Sequence, residues 1–171
     1  MWFRFCGGAG TITNVNDWLD PDEQAAWRAY VMATTTVHRL LDRALKPHGL
    51  STEDYGILAL LSEAPEGELR LGELAQQIRV PKPFLTYRFQ RLEQTGLVER
   101  RQCSDDARGV FGVLTALGRR TVEEVAPVHV ASVRRLLLDA LSRDQVLALG
   151  GIMDAVLVGI DEGDLYPGDD C

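Results

Sequence analysis

Residues 71–115 read LGELAQQIRVPKPFLTYRFQRLEQTGLVERRQCSDDARGVFGVLT, and the periodicity of this stretch decides the fold. It divides into a short helix, a turn, a longer basic helix and two strand-like runs about a charged loop. The second helix starts at Val80-Pro81, because a proline in the first turn gives up only an N–H that had no acceptor there. It stops at Gly96, a left-handed cap followed by apolar Leu97. Leu85, Phe89 and Leu92 fall at i, i+4 and i+7 and define its buried stripe. Lys82, Pro83, Thr86, Tyr87, Gln90 and Arg91 are left on the exposed arcs. Such a face suits a major groove, where cations meet phosphates or guanine edges, an amide pairs with adenine, and hydroxyls reach base or backbone. Taken alone, the same helix also fits an ordinary solvated amphipathic helix.

The continuation favours the groove. Leu97 to Arg101 and Val110 to Leu114 are strand-like and flank the polar turn from Gln102 to Gly109. A helix-turn-helix followed by a hairpin is a winged helix, so the fold class is mainly α with a small β-wing. Leu69-Arg70-Leu71 reads as a brief third strand of the wing sheet. Gly72 to Ile78 is then the positioning helix, with Leu74 and Ile78 turned inward. Arg101 and Arg108 fall near the wing tip, where a guanidinium reaches phosphates or enters a narrow minor groove. Asp106, two residues before Arg108, is placed to hold that guanidinium by a charge-assisted hydrogen bond.

Gly-Leu-Val-Glu-Arg-Arg at 96–101, Asp106-Ala107-Arg108-Gly109, and Leu114-Thr115 with Gly118 resemble the MarR family of winged-helix transcription regulators. That family shows a GLVxR run, a D-x-R wing and an L-T-x-x-G segment. Leu50-Ser51 with Tyr55 and Leu58, and Glu73-Leu74-Ala75, also match its pieces, and the likeness spans about residues 20–160. Against the family pattern, Tyr87 stands where arginine is frequent, Arg88 where an apolar residue is usual, and Pro83 and Phe84 where small polar residues are common. The resemblance implies a homodimer that binds double-stranded DNA, acting as a repressor released by a small aromatic or phenolic ligand. The residues expected at DNA are Lys82, Pro83, Thr86, Tyr87, Arg88, Gln90, Arg91, Arg101, Asp106 and Arg108. Trp27, Tyr30, His38 and Tyr55, on the helices corresponding to the family's ligand site, are the candidates for binding such a ligand; each also suits core or interface packing with a satisfied polar tip.

Outside the winged helix, expected over 49–115, the chain reads as long helices. Asp20-Pro21-Asp22-Glu23 opens the first, with Asp20 as cap and acids at the positive end of the dipole. It runs to about Leu45, ahead of Pro47 and Gly49, as the core of an N-terminal dimerisation segment over 17–48. Ser51 with Asp54 caps the next helix, which ends at Pro65-Glu66-Gly67. Thr115 opens a long helix toward Asp139 that Pro127 is expected to kink or break. Ser142 with Gln145 forms a capping box for the last helix. These C-terminal helices, over 116–160, carry apolar faces broader than one small core covers, which suits a twofold dimer reading a pseudo-palindrome. Residues 1–16 are glycine-rich without a period and read as disordered or as an extension. Residues 161–171 read as an acidic tail.

With 171 residues, the chain is long enough for a real core, and no apolar run approaches the roughly eighteen residues a bilayer span needs. The start does not read as a secretory signal, and a cytoplasmic protein is expected. A net charge of −7 opposes DNA binding only if taken globally. Residues 79–108 hold seven cations against four anions, +3 there and −10 over the remainder. Such asymmetry orients a protein on DNA. Cys6, Cys103 and Cys171 show no zinc or disulfide spacing. Cys103, in the wing turn beside Arg100 and Arg101, reads either as an incidental loop residue or as a thiol with lowered pKa. No cofactor is expected. With no phosphate loop, nucleophile elbow or metal-ligand spacing, the sequence does not read as an enzyme. A winged helix that binds a protein instead of an operator is the alternative reading, consistent with Phe84, Tyr87 and the net acidity.

Overall fold

The computed structural model describes residues 18–102 and 109–160. The expectations for residues 1–16, for Cys103, Asp106 and Arg108 in the wing turn, and for the tail 161–171 lie outside these residues. Two compact units divide the chain, Met1–Thr36 and Val37–Cys171.

In the first unit Asp20 caps helix α1, Pro21–Leu45. Its Oδ1 accepts the N–H groups of Asp22 and Glu23 at 2.8 and 2.9 Å, while Glu23 accepts the Asp20 N–H at 2.8 Å. Two orphan amide donors are thereby satisfied. The apolar residues Trp27, Tyr30, Val31 and Met32 of this unit are exposed.

In the second unit the end of α1 turns through a short 3-10 segment, Lys46–His48, to left-handed Gly49. Helix α2, Thr52–Glu63, opens on the expected capping box, with Ser51 accepting from the Asp54 N–H and Asp54 accepting from the Ser51 N–H. Strand β1, Glu68–Arg70, leads directly into α3, Leu71–Gln77, one residue earlier than the sequence suggests. Helix α4, Lys82–Gln94, follows a turn closed by Val80 N–H to the Ala75 carbonyl at 3.1 Å. Strands β2, Val98–Gln102, and β3, Val110–Leu114, complete an antiparallel sheet of order β1-β3-β2. Glu99 faces Val113 in one ladder and Glu68 faces Val113 in the other, so β3 is the central strand.

Helix α5, Ala116–Leu136, starts at Thr115, whose hydroxyl oxygen accepts the Gly118 N–H at 3.0 Å and donates to the Gly96 carbonyl at 2.7 Å. A Cβ at Gly118 would lie 2.1 Å from the Leu97 carbonyl oxygen, so only glycine lets α5 close on the start of β2. The expected break at Pro127 does not occur, and α5 is continuous through it. Pro127 and Glu123, four residues before it, are both exposed, so water can take the carbonyl that the missing N–H leaves free. A capping box at Ser142 and Gln145 opens α6, Arg143–Gly159.

The core gathers Leu45, Ile57, Leu58 and Leu61 under Leu74, Leu85, Phe89 and Leu92, closed by Val98, Leu114 and Val125. Burial of apolar area from α2, α3, α4 and α5 fixes the orientation of α4. By contrast, Leu147, Ile152, Val156 and Val158 of α6 are exposed, and a Cβ at Gly150 or Gly151 would meet nothing within 4 Å.

Candidate nucleic-acid interface

Helix α4 presents two different surfaces. Leu85, Phe89 and Leu92 are buried, and Pro81 precedes the first helical residue as the N-cap. Gly96 takes φ 73°, the left-handed conformation that ends the helix and turns the chain into β2. Lys82, Pro83, Thr86, Tyr87, Gln90 and Arg91 are exposed, with Tyr87 at 61% the most open aromatic of this helix. Thr86 donates to the Lys82 carbonyl at 2.8 Å, which leaves its oxygen lone pairs facing outward as acceptors.

Arg88 departs from the sequence expectation. It lies three residues after Leu85 and four before Leu92, a phase that adjoins the buried stripe rather than the open arc. Its side chain is only 19% exposed and sits 3.5 Å from Oδ1 of Asp54 and 3.6 Å from Glu53, while donating to the Ser51 hydroxyl at 3.2 Å. Asp54 is 2% exposed, and among the described residues its Oδ1 has no directed hydrogen bond, so the contact with Arg88 is ionic. Burial works to raise the Glu53 carboxyl, but hydrogen bonds from its own backbone and from Ser51, with Arg88 beside it, hold it below the usual carboxylate range. The physical role of Arg88 here is to tie α4 to the start of α2. The sequence marked Ser51 and Asp54 only as a cap; the helical phase of Arg88 signals that it borders the buried stripe, but not which residues it meets there.

The wing adds further cations. Arg100 pairs with Glu93, donates to the Thr86 carbonyl at 3.3 Å and lies 5.3 Å over the Phe89 ring. Arg101 pairs with Glu68 and stacks 5.3 Å over Phe111, so its guanidinium is oriented along the sheet while half its side chain stays open. These contacts fix where β2 enters the wing turn.

The four ligand candidates occupy different settings. In the first unit Trp27 and Tyr30 are exposed and stack on each other at 5.8 Å. In the second, His38 stands 3.4 Å from Glu53, and Tyr55 is buried 4.4 Å from the His129 ring. Burial raises the Tyr55 hydroxyl above its usual range, with Glu63 adding to the effect, and burial lowers His129. A cavity in this unit is lined by Arg39, Asp42, Arg43, Lys46, Gly49–Ser51, Asp54 and Arg91, and neither His38 nor Tyr55 is part of it. Among the described residues no cluster of His, Cys, Asp and Glu is arranged to hold a metal ion, and no helix is long and apolar enough to cross a membrane.

Residues 48–109 match the model of the MarR family. The crystal structure of Sco3205, a MarR family transcriptional regulator from Streptomyces coelicolor in complex with DNA, is 38% identical and superposes with a TM-score of 0.82, over 84% of this chain and 91% of that one. The chain belongs to the MarR family. AbsC, another MarR family transcriptional regulator from Streptomyces coelicolor, is 37% identical, with a TM-score of 0.80 over 83% of this chain and 96% of its own. An uncharacterised HTH-type transcriptional regulator of Bacillus subtilis, YkoM, is 26% identical over 125 residues, 72% of this chain and 80% of its length. As a MarR family member, the protein is a DNA-binding transcription regulator of winged-helix fold. In family terms, α3 and α4 are the helix-turn-helix pair and β2-β3 the wing.

Proposed function

We propose that this MarR family protein is a homodimeric repressor that reads a pseudo-palindromic operator in the cytoplasm and is released by a small aromatic or phenolic ligand. The observation that carries the reading is the exposed arc of α4 from Lys82 to Arg91, held outward by the buried stripe of Leu85, Phe89 and Leu92 with the wing strands alongside. In this reading α4 enters the major groove. Gln90 and Thr86 face base edges, Tyr87 packs against base or sugar, and Lys82 and Arg91 meet phosphates or guanine. Pro83 keeps the first turn close to the groove wall. Arg101 of the wing offers a guanidinium to the neighbouring minor groove, and Asp106 and Arg108, beyond the described residues, are the further DNA contacts of this reading.

The dimer is supported by the exposed apolar residues Trp27, Tyr30 and Met32 of α1 and Ile152, Val156 and Val158 of α6, which a second copy would cover. Residues 17–48 and 116–160 are thus assigned to dimerisation and 49–115 to DNA. Two winged helices related by a twofold axis meet successive major grooves about 34 Å apart. Trp27, Tyr30, His38 and Tyr55 remain the proposed ligand contacts, with release of DNA as the consequence of their occupation.

The test is a titration of the full chain against intergenic DNA from upstream of its own coding sequence, in rising salt. Specific binding that weakens with salt and is reduced by Arg108→Ala supports the proposal. Absence of specific binding even at low salt overturns it.

A further inference from the structure

A cavity of about 680 Å³ opens where the end of α1, the Lys46–His48 turn and the start of α2 meet the third turn of α4. Four cations line it, Arg39, Arg43, Lys46 and Arg91, with two carboxylates, Asp42 and Asp54. The carboxylates are already engaged. Asp42 accepts the Thr52 N–H at 2.8 Å and the Thr52 hydroxyl at 2.7 Å. Asp54 is buried, accepts the Ser51 N–H at 3.0 Å and faces Arg88.

The cations are not engaged in the same way. Arg39 and Arg43 fall at i and i+4 on one side of the end of α1, Lys46 opens the 3-10 turn that follows it, and all three are exposed and line the same cavity. Among the described residues none of the three side chains has an ion pair or hydrogen bond, and the contact of Arg91 with Asp54 is long, at 3.9 Å. The three form a row of about 10 Å at 1.5 Å per residue. Such a row is exposed and comes from one continuous segment of the chain, with Arg91 alone contributed by α4. It therefore suits an extended polyanion better than a small one, which would leave most of the row unpaired. Arg91 joins this row to the exposed arc of α4.

We propose that the concavity is a second part of the DNA interface, in which Arg39, Arg43, Lys46 and Arg91 take backbone phosphates flanking the groove that receives α4. The inference rests on reading α4 as the groove-entering helix, and it enlarges the contact surface beyond that helix and the wing. Because phosphates are the same in every sequence, the row adds affinity and fixes register without adding base preference. Cations at a helix C-terminus also complement its dipole; that role affects stability but not the salt dependence of DNA binding.

The deciding experiment measures anisotropy of the labelled upstream duplex, and of an unrelated duplex, with the full-length protein between 50 and 200 mM NaCl. Each phosphate contact contributes about 0.9 to the slope of log K against log salt, so Arg43→Gln with Lys46→Gln should lower the slope by about 1.8. The loss of affinity across that salt range then shrinks by about tenfold, and binding weakens equally for both duplexes. Lys46→Gln alone, outside the α-helical part of α1, should give half that change in slope if the double variant fails to fold. Tyr87→Ala is the contrast: it alters discrimination between the duplexes and leaves the slope near the wild-type value.

A wild type that binds its operator while both cation variants keep its slope overturns the inference and leaves the repressor reading standing. A wild type with no specific binding overturns the repressor reading and this inference with it. Stabilisation of the wild type by inorganic pyrophosphate in a thermal melt, lost in Arg43→Gln/Lys46→Gln with the DNA slope unchanged, overturns the DNA assignment in favour of a small-anion site.

Discussion

Replacing Arg88 by methionine separates the two roles this residue could have, as a cation for DNA or as a tie between helices. Methionine keeps most of the length and apolar contact of the side chain and removes only the guanidinium. In the fold that guanidinium lies 3.5 Å from Asp54, whose side chain is 2% exposed. At an effective dielectric near 20 the gross attraction is about 5 kcal/mol, much of it offset by the cost of desolvating both ions. Removing one partner leaves the carboxylate stranded, which costs about 3–5 kcal/mol for a fully buried pair. Here Asp54 keeps the Ser51 N–H at 3.0 Å and has Arg91 at 3.9 Å, so the lower end, about 3 kcal/mol, is expected.

At fixed protein concentration this is a fall in melting temperature on the order of 8 °C for a chain of this size. The partner change, Asp54→Asn, keeps an acceptor for Ser51 and removes the charge. Combined with Arg88→Met it should recover part of the loss, giving a coupling of about 1–2 kcal/mol in a double-mutant cycle. Chemical denaturation of the four proteins measures the cycle, and anisotropy in rising salt measures DNA binding. Because Arg88 contacts no phosphate in this account, the salt slope of Arg88→Met should match wild type, whereas loss of a phosphate contact lowers it by about 0.9. Unchanged stability together with a lowered slope would refute the reasoning and return Arg88 to the DNA face.

Other expectations follow from the core and its joints. Phe89→Ala removes a fully buried ring beneath Gly112 and Arg100, and urea denaturation should show a loss of about 4 kcal/mol. Gly118→Ala would set a methyl group 2.1 Å from the Leu97 carbonyl, so a loss of about 3 kcal/mol is expected in the same assay, with poor expression at elevated temperature. Burial depresses the His129 imidazole, so on acidification the unfolded chain takes up its proton first. That contribution to stability is complete above the ordinary histidine value of about 6.5 and is lost as pH falls from there through the lower folded value. His129→Gln should therefore melt with a shallower dependence on pH below about 6.5 than wild type.

The fold was legible wherever local chemistry and period agreed. Asp20, Ser51, Thr115 and Ser142 each begin a helix with a side chain that satisfies the first amides, and each does so in the structure. Gly96 ends α4 because the chain must turn left-handed there, a requirement visible in the residue type alone. Pro127 misled because the cost of a proline inside a helix depends on whether the orphaned carbonyl reaches water, and exposure is a tertiary property. For the site, the period of Leu85, Phe89 and Leu92 located the open arc and left Arg88 off it, but counting Arg88 among the residues expected at DNA set that phase aside. Arg88 sits between buried positions, and its partners come from Ser51, Glu53 and Asp54, more than thirty residues earlier in sequence. No periodicity within one helix carries such a contact.

The same distinction between a charge present in the sequence and a charge presented at the surface resolves the net charge of −7. An acid lowers the local potential most when its oxygens face solvent without partners. Three acids of this region do not: Asp42 is turned onto Thr52 and Asp54 onto Ser51 and Arg88, while Glu93 pairs with Arg100. For Asp42, burial works to raise the carboxyl, and the backbone and hydroxyl bonds from Thr52, with His38 and Arg88 nearby, more than offset it, so it stays ionised below its usual range. Such a carboxylate keeps its charge for the fold, and its lone pairs are directed inward. Arg39, Arg43 and Lys46, on the other hand, carry their charge at the ends of exposed side chains. A count of charges thus gives an acidic protein, whereas a count weighted by which groups are already engaged gives a cationic surface running from α4 to the end of α1. Asp42→Asn should on this argument change DNA affinity little, while Arg43→Glu, which reverses an unengaged charge, should weaken binding to every duplex at low salt. Equal effects of the two substitutions in the anisotropy assay would show that bulk charge governs the encounter and the engagement of the acids does not.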